Sequence, residues 1–301
     1  MMEVYHPGEL YVQSRAGVQI EASRIANSIH STMPPVAQAF LLKQRLAIAG
    51  TVARGGSVWV SLLTGQPGFM KAVDEQTVEI IAFPLSLEPL AENMRAGESI
   101  GLLVTDLATR RRMRINGRIE RVTPGKIFVH TQQVYSNCQK YIQQRHLIAE
   151  NLGISPGRTF SRSGCLTPTQ EAWIERADTF FIASAHCERG ADASHRGGYP
   201  GFVRLIHAHR LIFPDYPGNM MFQTLGNISV NPHAGLLFLD FENGNTLQLT
   251  GRAQIIWDEL WMAKFAGARR LVEFTIDEVI ERAGNCPLRW SLVEYSPFLP
   301  K

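Results

Sequence analysis

Read by the period of its hydrophobic and polar positions, the chain is mostly strand. Leu46 to Val52 and Val58 to Leu63 are short β-compatible runs separated by the turn-like Arg54-Gly55-Gly56, and Thr77 to Phe83 is a third. Pro34-Pro35 opens a helix that runs through Gln44. Further on, Thr167-Pro168-Thr169 introduces a helical stretch from Gln170 to Ala177, with Thr169 as candidate N-cap. Phe180 to His186, Gly201 to Ile206 and Arg210 to Phe213 read as strands, and Asn219 to Gln223 as extended chain. Leu225 to Val230 reads as a helical turn closed by Asn231-Pro232. Gly235 to Phe241, a Glu-Asn-Gly-Asn turn at 242–245 and Thr246 to Trp257 then form a hairpin. Near the start, Val18 to Ile29 has apolar residues at helical spacing, an arm able to pack on either half.

These elements occur twice. Gly101-Leu102-Leu103-Val104-Thr105-Asp106 matches Gly235-Leu236-Leu237-Phe238-Leu239-Asp240 at an offset of 134, and Gly117-Arg118 falls on Gly251-Arg252 in the same ungapped register. Such a register over about 25 residues indicates duplication of one domain. The expected organisation is an arm at 1–34, a first copy at 35–150 and a second at 151–301, the loop lengths differing between copies. Arg54-Gly55-Gly56 competes with Pro67-Gly68-Phe69 for alignment with Arg196-Gly197-Gly198 or Pro200-Gly201-Phe202, and pairing the two Arg-Gly-Gly turns is preferred. Short strands with one short crossover helix per copy suit a small antiparallel barrel.

Composition narrows the function. Thirty Lys+Arg against 27 Asp+Glu in 301 residues leave +3, too small a balance for a general nucleic-acid binder. The densest basic run, Arg110-Arg111-Arg112-Met113-Arg114, is read as a solvated hairpin. The most apolar window, Phe40 to Val60, carries Lys43, Arg45 and Arg54, so no membrane span is expected. Four cysteines without CxxC spacing and no secretory segment point to the cytoplasm. His207 and His209 would share a strand face, but that spacing alone does not make a metal site, and none is expected. GxGxxG after a strand, GxxxxGK[ST], HExxH and GxSxG are all missing, and no catalytic acid or base can be nominated.

The densest polar constellation is Ser194-His195-Arg196-Gly197-Gly198-Tyr199-Pro200-Gly201-Phe202, followed by Gly218-Asn219, Phe222-Gln223-Thr224, Gly226-Asn227 and Asn231-Pro232. Together with the strand that follows, it resembles the flavin mononucleotide (FMN)-binding split barrels related to pyridoxamine 5′-phosphate oxidase, over both copies. Asn137-Cys138-Gln139-Lys140-Tyr141-Ile142 with Arg145 is similar to a segment of two-copy relatives, which usually have Pro at the place of Gln139. The resemblance implies a mainly β fold of two tandem split barrels packed as a pseudo-dimer, with FMN held across their interface. It implies cofactor contacts from Arg196, Gly197, Arg204, Asn219, Phe222, Gln223, Thr224 and Asn227, with Lys140 reaching in from the first copy. Thr224 has the alternative of capping the helical turn. The first copy has Leu90 at the place of Thr224 and Glu92 at that of Gly226, so one FMN per chain is expected. The implied activity is electron transfer between a reduced nicotinamide or other small molecule and an acceptor, with a homodimer possible. The alternative is a non-catalytic flavin- or haem-binding module.

Overall fold

A computed structural model describes residues 4–81, 89–136, 138–150 and 160–300. The first half opens with α3 (Pro35–Leu42), after α1 (Pro7–Ala16) and α2 (Gln19–Ile25) of the arm. Its sheet has the order β2 (Val58–Thr64), β1 (Leu46–Val52), β5 (Ser99–Asp106), β6 (Arg111–Thr123), β7 (Lys126–Ser136), β4 (Thr77–Ile80) and β3 (Met70–Ala72), with α4 (Pro89–Asn93) before β5. The second half repeats it: β11 (Gly190–Gly197), β10 (Thr179–His186), β14 (His233–Leu239), β15 (Thr246–Ile256), β16 (Arg270–Arg282), β13 (Arg210–Asp215) and β12 (Arg204–His207), with α5 (Pro168–Arg176) and α6 (Gln223–Val230) matching α3 and α4. β9 (Phe160–Ser163) adds to β16, and α7 (Glu259–Met262) follows β15. β8 (Gln144–Glu150) and β17 (Leu288–Glu294) pair with each other in a two-stranded ribbon. Neither large sheet closes on itself, so each half is a split barrel.

The repeat landmarks have physical causes. The two barrels pack through a shared apolar layer in which Ile48, Val58, Val60 and Leu103 meet Phe181, Ala191, Ala193 and Leu237. Backbones approach so closely there that a Cβ on Gly101 would lie 2.4 Å from Asp192 Cα, and one on Gly235 2.6 Å from the Val58 carbonyl. Gly117 and Gly251 sit at matching bulges, each facing a carbonyl of the neighbouring strand, His130 and Thr275. Asp106 and Asp240 accept the backbone N–H groups of their own turns, at Ala108 and at Glu242 and Asn243. Within each barrel a separate core forms, around Phe180, Phe213, Phe238 and Phe274 in the second.

The structure corrects several expectations. Strand pairing fixes the repeat offset at 133 in this region, because Leu46 faces Thr64 as Thr179 faces Gly197. Pro67-Gly68-Phe69 is therefore equivalent to Pro200-Gly201-Phe202, and Arg196-Gly197 ends a strand rather than forming a hairpin turn. Gly68 and Gly201 both have left-handed φ, +95° and +87°. Gly201 to Val203 precede β12 as a turn. Thr167, not Thr169, caps α5, in a reciprocal box with Gln170. Asn219 to Gln223 is not extended: Met220 and Phe222 are left-handed, and α6 begins at Gln223. His209 lies in a turn beyond β12, so it shares no strand face with His207. The end of the expected third strand at 82–83, Asn137 and the start of the expected second copy at 151–159 lie outside the described residues.

The arm also holds a helix that the periodicity missed. The buried positions of α1 are Gly8, Glu9, Val12 and Gln13, with one apolar side chain among them. It packs on α6 with little room between backbones, since a Cβ on Gly8 would lie 2.3 Å from the Gly226 carbonyl. Gln13 Nε2 donates to the Met221 carbonyl at 3.1 Å, tying the arm to the segment before α6.

Candidate functional site

Strand alternation on β6 places Met113 and Ile115 in the first barrel's core and sends Arg112 and Arg114 toward the second barrel. There they meet the end of β11, the end of β13 and the first turn of α6. The result is a cleft between the halves lined by Arg112, Arg114, Ser194, His195, Arg196, Gly197, Asp215, Tyr216, Asn219, Phe222, Gln223 and Thr224, with an enclosed volume of about 90 Å³. The basic run expected to be a solvated hairpin thus divides. Arg110 turns the hairpin at φ +56° and Arg111 is exposed, whereas Arg114 is 6% exposed.

Arg114 Nη1 lies 3.0 Å from Asp192 Oδ2 and 3.1 Å from the Tyr135 hydroxyl, and its Nη2 donates to Ser194 Oγ. Thr224 Oγ1 donates to the same Asp192 oxygen at 3.1 Å, while Asp192 Oδ1 accepts from Ser184 Oγ at 2.6 Å. Thr224 is the second residue of α6 and does not cap it. Arg196 donates to Ser194 Oγ at 3.1 Å and lies 3.8 Å from Asp215, which Arg270 also meets at 3.0 Å. Arg112 faces no carboxylate within ion-pair distance among the described residues. Burial, then the repulsion of Arg114 and Arg196, lowers its pKa to about 9. Nε of Arg112, Arg114 and Arg196 and both ring nitrogens of His195 are buried without hydrogen-bond partners among the described residues. His195 is held well below the ordinary histidine range by burial, and further by Arg112, Arg196 and Arg145, so its imidazole is neutral at pH 7.

A strap from the first half closes one side. Tyr141, left-handed at φ +68°, donates its hydroxyl to the Pro217 carbonyl at 2.9 Å and lines the cleft. Gln143 is fully buried and donates to the carbonyls of Asp178 and Gly198 at 3.2 Å each. A Cβ on Gly197 would lie 2.0 Å from the Tyr141 carbonyl, so only glycine lets the strap pass.

Of the residues expected from sequence, the structure brings Arg196, Gly197, Asn219, Phe222, Gln223 and Thr224 together in the cleft. Three lie elsewhere. Arg204 stacks its guanidinium 4.1 Å from the Phe265 ring and does not line the cleft. Lys140 sits 5.7 Å from the Phe298 ring, leaving Tyr141 as the strap's contribution. Asn227 is buried, its Nδ2 donating to Ser184 Oγ at 3.0 Å and its Oδ1 2.9 Å from His6 Nε2. The equivalent Asn93 donates to Thr51 in the same way, so this bond is part of the shared architecture. Sequence reasoning named His195 only within its polar run and did not bring Arg112 or Arg114 to the cleft, although basic residues two apart, alternating with apolar ones, are a strand signal. The symmetry-related place in the first barrel is filled instead. Thr246, Gln248, Trp59, Leu62, Leu63 and Leu90 stand where the cleft has Arg112, Arg114, Asp192, His195, Arg196 and Thr224, and Gln248 donates to the Val60 carbonyl at 2.7 Å.

Two split barrels that share a cationic cleft define the class, and comparison with known proteins gives the family. The family model for pyridoxamine 5′-phosphate oxidase matches residues 33–151 and again 166–283, more than half of the chain, which therefore belongs to this family. No curated protein matches the chain. Among solved structures it is similar to HupZ of group A Streptococcus, at 15% identity over 37% of this chain and 89% of that one with a TM-score of 0.31. It is also similar to a FAD-binding protein of Mesorhizobium loti, at 11% identity, 42% and 98% coverage and a TM-score of 0.30. A Clostridium acetobutylicum protein related to general stress protein 26, of the pyridoxinephosphate oxidase family, matches at 12% identity, 40% and 89% coverage and a TM-score of 0.27. Among the described residues no helix is long and apolar enough to cross a membrane, and no group of three or more His, Cys, Asp or Glu is placed to hold a metal.

Proposed function

We propose that this protein binds one FMN per chain in the cleft between its barrels and acts as a flavin-dependent oxidoreductase on a small molecule or reduced nicotinamide. The observation that carries the reading is the cluster of buried, unpartnered donors from both halves, on Arg112, Arg114, Arg196 and His195. Buried guanidinium N–H groups without partners are costly, and an anion relieves them. The cleft's 90 Å³ suits a phosphate group and not a whole flavin, so the rest of such a ligand would extend out of it. Family membership supplies the flavin chemistry, and the donor set fits its phosphate end.

In this reading Arg112 and Arg196 bind the phosphate, and the first turn of α6 adds backbone N–H groups and the Gln223 side chain. Asp192 orients Arg114 and Thr224 together. The Tyr141 strap and Phe222 exclude water from the inner cleft. Bound FMN would supply reversible electron transfer, while the protein fixes its position and surroundings. Substrate identity is set by loops at the open side. A cytoplasmic setting accords with four free cysteines, and both walls of the cleft come from one chain, so a second copy is not needed to build it.

The test is an absorbance spectrum of protein purified without added ligand, repeated after incubation with FMN and gel filtration. A flavin doublet retained at one equivalent per chain is expected. A haem Soret band, or no retained chromophore, would refute the reading.

A further inference from the structure

His195 is 4% exposed and lies on β11 between two residues that already have partners, Ser194 and Arg196. Its ring is edge-on to Phe181, centroids 5.8 Å apart, and both nitrogens are without a partner among the described residues. A buried imidazole with two idle nitrogens in a cleft wall is a costly feature. The charges acting on it are Arg112 from β6, Arg196 from β11 and Arg145 from β8, and the cleft wall adds Arg114 from β6, Asp215 from β13 and the neutral Tyr141 from the strap. Arg114, Arg145 and Arg196 have carboxylates nearby, at Asp192, Asp178 and Asp215, and Arg112 does not, so the surplus is positive.

We infer that His195 is a ligand-contacting residue that takes one proton from solvent when a phosphate-bearing anion enters the cleft, then donates a hydrogen bond to it. This rests on the reading that the cleft holds the phosphate of FMN. Without an anion, neighbouring guanidinium groups and burial oppose a further charge. A dianion between His195 and those groups reverses the local field at short range, and the imidazolium then has a donor to offer where the imidazole had an idle acceptor. No bond breaks, and the only exchange is imidazole plus a solvent proton giving imidazolium. Glu9, buried near Asp192, is the other group able to exchange a proton with the same network.

The experiment is calorimetric titration of FMN into the full-length protein at pH 7 in buffers of different ionisation enthalpy, which counts protons taken up per ligand. The phosphate's own titration contributes alike in wild type and His195→Gln and cancels in the difference. Wild type should exceed His195→Gln by at least about half a proton per FMN, and its affinity should fall by up to about tenfold per pH unit on the alkaline side, where the variant is flatter. Glu9→Gln should preserve that difference, and His195→Asn serves if His195→Gln does not fold. Equal uptake by wild type and His195→Gln, or loss of the difference in Glu9→Gln, overturns the inference while leaving FMN binding intact. Should FMN fail to bind, sulfate, which does not titrate in this range, is the second titrant. Sulfate binding with His195-dependent uptake keeps the inference and refutes the flavin reading, and binding of neither ligand overturns both.

Discussion

Arg114 of the first barrel and Asp192 of the second form an ion pair at 3.0 Å that is buried on both sides and joins the two repeats at the wall of the cleft. The same carboxylate accepts from Thr224 and Ser184, so one side chain of β11 orders groups on β6, α6 and β10. Replacing Arg114 by Ala leaves Asp192 buried without its cation, a change that costs about 3–5 kcal/mol where a buried pair is broken from one side. Chemical denaturation of Arg114→Ala should show that loss, and the double variant Arg114→Ala, Asp192→Ala should recover part of it. Equal stability of wild type and Arg114→Ala would mean that the pair does not hold the barrels together.

The repeated glycines offer a test of how closely the barrels approach. A Cβ at Gly101 would meet Asp192 backbone at 2.4 Å, whereas one at Gly55 has nothing within 4 Å. Gly101→Ala should therefore destabilise by at least about 1–3 kcal/mol through forced backbone movement, and Gly55→Ala should be close to neutral. Thermal melts of the two variants side by side decide this, and equal melts would contradict the packing of β5 on β11.

Glu9 gives the arm a pH dependence. Burial, offset in part by the hydrogen bond from the His6 backbone, raises its pKa to about 8, so it is protonated in the folded protein at neutral pH. Because the unfolded chain ionises near the ordinary carboxylate value, folding there binds a proton, and stability falls as pH rises between the two values by up to about 1.4 kcal/mol per unit. Above about 8 this contribution is flat. Glu9→Gln should remove that slope and raise the melting temperature more at pH 8 than at pH 5. An unchanged slope would show that Glu9 is not the group responsible.

Much of this architecture was legible in the sequence because strands with an apolar face declare themselves by pattern. Leu46 to Val52 and the first-turn proline of α3 fall where the periodicity predicts them. The glycines at 101 and 235 marked the duplication because sheet-on-sheet contact demands them in both copies. Two kinds of information were hidden. Helix α1 buries Gly8, Glu9 and Gln13 with Val12, so its contact face carries no apolar stripe. Arg112 and Arg114 look solvated in a basic run, and only the pairing of β6 between β5 and β7 turns them together toward the other barrel. The resemblance singles out Asn219 and Phe222, and both line the cleft, but the left-handed conformation of Met220 and Phe222 is not one that propensity assigns to those residues.

In the proposed reading one flavin binds per chain and the first barrel supplies part of its site. Titration of FMN into wild type and Arg112→Met, followed by quenching of flavin fluorescence, tests it most directly. Such a shared site predicts saturation at one FMN per chain in wild type and at least tenfold weaker binding in Arg112→Met. It also predicts that the unliganded variant is no less stable, because the substitution removes a buried cation without a carboxylate partner. Saturation at two equivalents, or unchanged affinity in Arg112→Met, would contradict it and assign the ligand to groups within a single barrel.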